Sequence, residues 1–147
     1  VFGVSYRQRM DLLVNDFVYR AVTDEFLELF ESHFLRKYVH VRDVAKAFLH
    51  LINNYESCNN NAFNVGLTSA NMSKLQLAQK IKEYVPNLVI IEEQFKEDFD
   101  KRNYIVSNEK LEKTGWSCDF SLDVGIQELL KAYKMISNFK NKDFTNL

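Results

Sequence analysis

The sequence contains few of the residues that mark several classes of functional site. Its 147 residues include four glycines, one proline, two cysteines and three histidines. None of the glycines lies in a G-x-x-G or G-x-G-x-x-G cluster, so no segment offers the bare backbone that holds a dinucleotide pyrophosphate at a helix N-terminus. Two widely separated cysteines, Cys58 and Cys118, cannot make a four-ligand zinc site. We expect both to be reduced thiols in a cytoplasmic protein.

Two further absences limit the partners of the chain. Nineteen Lys and Arg residues against twenty Asp and Glu give a net charge of -1, so the chain lacks the basic field that nucleic-acid binding usually needs. No apolar run approaches the roughly 18 residues of a membrane span, and Val1-Phe2-Gly3 does not begin a signal peptide. We therefore expect neither nucleic acid nor membrane as a partner.

What remains is the composition of a globular domain, with 46% hydrophobic, 27% charged and 14% aromatic residues. The first residue is not Met, and the opening apolar stretch resembles the end of a strand. We therefore expect the chain to begin inside a fold. Residues 1–137 are predicted to form one structural portion, and the Lys-, Asn- and Asp-rich residues 138–147 a frayed tail.

The spacing of apolar residues predicts a mixed α/β chain of short strands between four or five helices. Helices are expected from Asp11 to about Phe26, with Asn15 on the polar side, from an Asp43 N-cap to about residue 53, from an Asn71 or Ser73 cap to Pro86, from Ser107 to Leu111, and from Ser121 onward with Val124 inward. Strands are expected over residues 27–30, 38–41, 62–66, 88–91 and 104–106. Trp116 is a predicted core residue.

Five segments, in order, resemble the carboxy-terminal half of the extended short-chain dehydrogenases that act on nucleotide sugars. They are Phe2-Gly3 with the helix that follows Asp11, the run Arg36-Lys37-Tyr38-Val39-His40-Val41-Arg42-Asp43 with its Ala-containing helix, Phe63-Asn64-Val65-Gly66 with the helix after Asn71, Asp100-Lys101-Arg102-Asn103-Tyr104, and Lys110-Leu111 with Gly115-Trp116. The resemblance implies an NAD-dependent epimerase or dehydratase whose amino-terminal, cofactor-binding Rossmann half is missing here.

The resemblance also implies which residues bind the substrate. Arg36 matches the family's phosphate-binding arginine, Asp100 its ribose-binding carboxylate, and Arg102 is a second candidate for the diphosphate. Backbone amides around Asp11 and Leu12, at a helix start, suit a phosphate or a base carbonyl. Either arginine could instead be an ordinary surface residue. Asp43 is read as a cap and His40 as a structural histidine.

No catalytic residue is predicted. The family's Tyr-x-x-x-Lys pair is absent, since none of the seven tyrosines has a lysine four residues later. The parent reaction would be hydride removal from a sugar carbon to NAD, followed by epimerisation, dehydration or return of the hydride, as expected of an isomerase or lyase. For this chain alone we expect no cofactor, only binding of a nucleotide-diphosphate sugar.

Two alternatives remain open at this stage. The chain could be a non-catalytic interaction module that associates with itself through the surface that would cover the Rossmann half, and the aromatic segment from Phe26 to Tyr38 is a candidate for that surface. It could also keep the fold but belong with relatives whose substrates are not nucleotide sugars. Arg36 and Asp100 would then have no phosphate or ribose to bind.

Overall fold

The computed structural model describes residues 1–93 and 105–135 as a mixed α/β fold. The helices in this part of the chain are α1 (Leu13–Thr23), α2 (Val41–Asn53), α3 (Tyr55–Cys58), α4 (Lys74–Tyr84), α5 (Glu109–Glu112) and α6 (Leu122–Met135). The strands are β1 (Phe26–Phe30), β2 (Leu35–Lys37), β3 (Asn71–Ser73) and β4 (Val89–Glu93). The predicted fold class is confirmed.

The strands form two small sheets. β1 pairs with β4 in parallel, with Phe26 opposite Val89, and β2 pairs with β3 antiparallel, with Arg36 opposite Met72. Parallel strands need a long crossover connection. Here the connection from β1 to β4 contains β2, α2, β3 and α4. β1 and β2 therefore carry the chain from one sheet into the other.

One large apolar core holds these elements together. It joins α1, α4, α6 and β1, and its fully buried members include Val18, Leu27, Leu77, Ile81 and Leu129. A smaller cluster forms around Ala47, Leu111 and Trp116, which confirms Trp116 as a core residue. Burying each large side chain contributes about 1.5 to 3 kcal/mol, so α1 is held mainly by what it packs against.

The start of α1 departs from the prediction at one residue. Asn15 was placed on the polar side of the helix but is buried, with only 2% of its surface exposed. Its side-chain oxygen accepts a hydrogen bond from the Gly3 N–H at 3.1 Å, and its amide donates to the Arg9 carbonyl at 2.8 Å. Asn15 therefore fastens the first nine residues to α1.

The segment that leads into α2 also differs from the prediction. A strand over residues 38–41 is wrong, because β2 ends at Lys37 and the helix begins at Val41. Phe2 occupies the pairing position instead: its N–H donates to the Val39 carbonyl at 3.0 Å and its carbonyl accepts from Val41 N–H at 2.8 Å. Because Phe2 makes these two bonds, no longer strand pairs with residues 39–41, and the chain enters α2 at Val41.

Asp43 is not the N-cap of α2. The cap is His40, whose Nδ1 accepts a hydrogen bond from the Arg42 N–H at 3.3 Å. The Asp43 carboxylate is fully buried and accepts hydrogen bonds from the backbone N–H groups of Asp119, at 2.9 Å, and Phe120, at 3.2 Å. It links the first turn of α2 to the chain just before α6.

Other predicted elements fare unevenly. Ser73 caps α4 through a capping box with Gln76, and α4 ends before Pro86, both as predicted. Residues 62–66 form no strand, residues 105 and 106 are not in a strand, and Val124 is exposed. These runs are apolar but have no ladder partner in the described residues. Tyr104 and the predicted tail lie outside that part of the chain.

His40 is fully buried between the rings of Phe2 and Phe120, which we call its aromatic box. Its ring stacks on Phe120 at a centroid distance of 4.5 Å and meets the edge of Phe2 at 5.4 Å. Its Nε2 lies 3.6 Å from the Glu128 carboxylate, which is too long for a hydrogen bond, so that contact is electrostatic only. Burial lowers the pKa of His40, and Glu128 offsets part of that effect.

We predict that Asp43→Ala destabilises the fold by about 3 kcal/mol, because it removes a fully buried carboxylate that accepts from the backbone N–H groups of Asp119 and Phe120. Urea unfolding at neutral pH measures this. The matched control is Asp119→Ala, whose side chain is 57% exposed and pairs with Lys46, and which should change stability by no more than about 0.5 kcal/mol. Equal losses in both variants would contradict the buried role of Asp43.

We also predict an acid-sensitive contribution from His40. Its folded pKa lies below the unfolded value of about 6.5, so the unfolded chain binds more protons. The stability is complete above that pH and is lost as the pH falls through the folded pKa. His40→Asn, which keeps a cap acceptor but removes the ring, should be less stable at pH 7.5 yet lose less stability between pH 7 and 5. Parallel urea titrations at stepped pH test this, and identical slopes would refute it.

Candidate functional site

A cleft of about 370 Å³ opens where three elements meet. The start of α1 supplies Asp11, Leu12 and Asp16, β2 supplies Arg36 and Lys37, and the start of α4 supplies Lys74. The sequence predicts Asp11, Leu12 and Arg36 as binding residues, and the structure places these three around one cleft. Lys37, Lys74 and Asp16 were not predicted there.

Arg36 is held firmly, although β2 is only three residues long. The residue is 8% exposed, and its Nη1 donates to the carbonyl of Leu35 at 3.1 Å. Its guanidinium carbon lies 6.0 Å from the centre of the Phe34 ring. A planar guanidinium with a fixed stem presents a defined pair of N–H donors, which suits a phosphate or carboxylate.

The first turn of α1 contributes backbone donors and two carboxylates. Leu12 is the N-cap and makes no side-chain cap hydrogen bond, so the first amides of the helix carry the positive end of its dipole towards this end. The Asp11 carboxylate is paired with the Arg9 guanidinium, which lowers its pKa. Burial raises the pKa of Asp16, because the charged carboxylate is poorly solvated there.

Lys37 lines the cleft, but its ammonium group is engaged elsewhere. Nζ donates to the Val106 carbonyl at 2.6 Å and to the Asn108 side-chain oxygen. Asn108 is itself buried and donates to the Gly66 carbonyl at 2.7 Å. Lys37 therefore ties β2 to the start of α5, and its desolvated ammonium has a lowered pKa.

Lys74 is the residue that sequence reasoning missed most clearly. It is 5% exposed, and its Nζ donates to the Phe30 carbonyl at 3.0 Å. A lysine at the first position of a helix opposes the helix dipole. That mismatch is the one local signal that could have marked Lys74 as a residue held by other contacts.

The remaining predicted site residues cannot be placed in the same way. Asp100 and Arg102 lie outside the described residues, so their assignment stays a prediction from the resemblance. His40 lies in its aromatic box as the cap of α2, as a structural histidine would.

In the described part of the chain, two of the four glycines do not fit a cradle for the pyrophosphate of NAD. The space beside two of the four glycines is already filled by the chain's own side chains: a Cβ on Gly66 would lie 1.9 Å from Lys37 Cε, and one on Gly125 would lie 2.1 Å from Phe2 Cε2. These glycines serve packing and do not make a cradle for a pyrophosphate. The sequence has no Tyr-x-x-x-Lys pair, so it offers the cleft no acid–base pair of the family's type.

Other reactive groups in the described part of the chain do not form a second centre. Burial raises the pKa of the Cys118 thiol to about 12, so it is protonated at neutral pH. Within residues 1–93 and 105–135 no three His, Cys, Asp or Glu side chains are grouped as a metal site would need. Over the same residues, none of the helices has the length and apolar character to cross a membrane.

An exposed apolar surface lies on α2 and the first residue of α3. Phe48, Leu49, Ile52 and Tyr55 are 66%, 61%, 66% and 64% exposed, and Phe48, Ile52 and Tyr55 border a shallow groove with Phe63. We call these four residues the α2 face. In the segment from Phe26 to Tyr38, which the sequence offers for such a surface, Leu27, Leu29 and Tyr38 are buried in the core and are not available to it.

Comparison with known proteins gives one family match and many structural ones. Residues 1–66 match the model of the NAD dependent epimerase/dehydratase family. The fold is similar to that of UDP-glucose 4-epimerase from Thermotoga maritima, solved with UDP-glucose, at 24% identity over 91% of this chain and 44% of that one, with a TM-score of 0.72.

Two further structures extend the comparison. ADP-L-glycero-D-manno-heptose-6-epimerase from Helicobacter pylori is 19% identical over 92% of this chain and 42% of its own, with a TM-score of 0.73. L-threonine dehydrogenase from Phytophthora infestans is 17% identical over 84% and 41%, with a TM-score of 0.72. The chain spans less than half the length of each of these three structures.

The family match and the fold agree with the order of segments in the sequence. The family model covers the start of the chain through Gly66, which includes α1, Arg36 and the α2 face. The structural matches extend the likeness in fold to most of the remainder. The predicted resemblance to the NAD-dependent epimerase/dehydratase family is therefore confirmed over residues 1–66.

Proposed function

We propose that this chain is the substrate-binding portion of an NAD-dependent epimerase or dehydratase and that its cleft binds a nucleotide-diphosphate sugar. The observation that carries the proposal is the meeting of Arg36 with the uncapped start of α1 in one cleft. The resemblance in sequence also predicts that Arg36 and the helix start at Asp11 and Leu12 bind the substrate. A buried guanidinium beside helix amides suits a diphosphate.

In this proposal the chain binds and does not react. Its part in the parent reaction is to hold the nucleotide so that the sugar lies against the half that carries NAD and the Tyr-Lys pair. NAD supplies the transient acceptor for hydride when it is bound in that half. Asp100 and Arg102 would add the ribose and second phosphate contacts, and the protein would work in the cytoplasm.

The α2 face gives this portion a surface on which a cofactor-binding half could pack. Four large apolar side chains, three on α2 and one at the start of α3, are each more than half exposed and are costly to leave in water. The structures that share this fold are more than twice as long as the chain, which leaves room for such a half. The same face also supports the second candidate function, a module that associates with itself.

We predict that Arg36→Ala weakens binding of UDP-glucose or dTDP-glucose by about 10- to 150-fold, equivalent to the 1.5 to 3 kcal/mol of a charge-assisted phosphate contact. Calorimetric titration of the purified chain measures this. The matched control is Arg20→Ala, in the last turn of α1, outside the cleft and paired with Asp24, which should bind like the wild type.

NAD is the negative control for the same titration, and the wild-type chain should not bind it. A folded chain that binds neither sugar nucleotide would contradict the proposal that this portion suffices to form the site. Unchanged affinity in Arg36→Ala would contradict the role of Arg36. It would then favour a relative that has the fold but a different substrate, as the likeness to a threonine dehydrogenase allows.

We predict that the wild-type chain associates through the α2 face and that Phe48→Ser with Ile52→Ser gives a monomer of about 17.3 kDa. Light scattering coupled to gel filtration measures the mass. A broad distribution in the wild type supports an uncovered half of a larger enzyme, and one defined oligomer supports the interaction module. A wild-type monomer would show that the α2 face drives neither.

A further inference from the structure

We propose that His40 is a pH switch at the start of α2: the neutral ring closes the first turn of the helix, and a second proton on the ring opens that turn while the rest of the chain stays folded. The ring caps the helix as a hydrogen-bond acceptor. Of all side chains, histidine is the one that changes charge between pH 5 and 8 without any help from its surroundings.

The hydrogen bonds of His40 decide where its proton lies. Nδ1 accepts from the Arg42 N–H at 3.3 Å, so the neutral ring carries its proton on Nε2. Nε2 is buried and has no hydrogen-bond partner in the described part of the chain, and a Glu128 carboxylate oxygen lies 3.6 Å from it. The neutral ring therefore has one satisfied acceptor and one buried donor that lacks an acceptor.

A second proton on the His40 ring has to bind at Nδ1. That atom then becomes a donor that faces the Arg42 N–H, so the cap hydrogen bond is lost and two donors point at each other. The neighbouring N–H groups of Val41, Asp43 and Val44 donate to backbone carbonyls at 2.8 to 3.2 Å, and these carbonyls do not titrate. In the first turn of α2, Arg42 thus has the one amide whose acceptor depends on pH.

The charged groups that face the ring lie on α6 and α2. Glu128 on α6 and Asp43 on α2 favour the protonated ring, Arg42 opposes it, and burial is the largest effect and lowers the pKa of His40. The rings of the aromatic box carry no charge. Glu128 gives the protonated ring a counter-ion inside the fold, so a second proton need only open the cap.

The switch would also act on the first residues of the chain. The Phe2 backbone is hydrogen-bonded on both sides of His40, and Val1 beside it lines the cleft. A Cβ on Gly3 would lie 2.6 Å from Nε2, so the ring and this segment are in close contact. A shift of the ring would therefore move residues 1–3 together with the start of α2.

Nuclear magnetic resonance of the ¹⁵N-labelled full chain tests the switch. At pH 7.5 the ring nitrogens of His40 should show the Nε2–H tautomer. As the pH falls to 5, the protection of the Arg42 amide against hydrogen exchange, corrected for the intrinsic rate, should fall about five- to tenfold, as expected for one lost N-cap. The amides of Val41 and Val44 should change by less than about twofold, and the midpoint should lie below about pH 6.5.

Two variants serve as controls. His40→Asn keeps a cap acceptor that does not titrate, so the Arg42 amide should be equally protected at both pH values. Glu128→Gln keeps an acceptor oxygen but removes the charge, so the turn should open at a lower pH than in the wild type. An unchanged midpoint would contradict the role of Glu128.

The wild-type signals decide the proposal even if a variant fails to fold. A ring with its proton on Nδ1 at pH 7.5, or an Arg42 amide whose protection does not change, would show that His40 is no switch. Equal loss of protection at Val41, Arg42 and Val44 would show that acid unfolds the helix as a whole, which also contradicts it. Neither readout involves a ligand, so the sugar-nucleotide titrations test the proposed function separately.

Discussion

The fold depends on the segment from Arg36 to Asp43, in which five of the eight residues are Arg, Lys, His or Asp and all but Arg42 are buried or half-buried. The backbone groups of this segment and the Asp43 carboxylate find their partners in distant parts of the chain. The Phe2 backbone forms hydrogen bonds with the backbone on both sides of His40, and the backbones of Leu67 and Ala70 form them with that of Tyr38. The chain before α6 donates to the Asp43 carboxylate. Satisfying this one segment fixes the first residues, the turn before β3 and the start of α6 relative to one another.

The cleft follows from the same constraint. Arg36 begins the segment, so whatever fixes residues 38–43 also fixes the direction in which Arg36 leaves β2. Lys37 adds a second tie at the same point through Asn108. A guanidinium on a three-residue strand would otherwise have little support, and a binding group gains affinity when its position is settled before the ligand arrives. In the proposed function, this local order would hold the Arg36 guanidinium in position before the ligand binds.

The sequence predicts the fold class and most helices because their apolar spacing is local and strong, as in α1, α4 and α6. It also predicts that Arg36, Asp11 and Leu12 serve one site, because they stand in segments that resemble the family, and all three line one cleft. It fails where a long-range bond decides the outcome. Residues 38–41 have the composition of a strand, yet Phe2 takes their pairing. Asp43 has the composition of a cap, yet its partners lie more than seventy residues away. Lys74 is likewise defined by the distant Phe30 carbonyl.

The division between binding and reaction has a consequence for how such a portion can contribute to a rate. Contacts to a diphosphate are the same in the substrate and in the transition state, so alone they lower the concentration of substrate needed and leave the chemical step unchanged. They accelerate the reaction only if they also hold the sugar in the reacting orientation against the other half. That coupling needs a rigid path from the cleft to the α2 face. In the proposed function the turn at His40 would supply that path, because only four residues separate Arg36 from the start of α2 and their backbone is bonded on both sides.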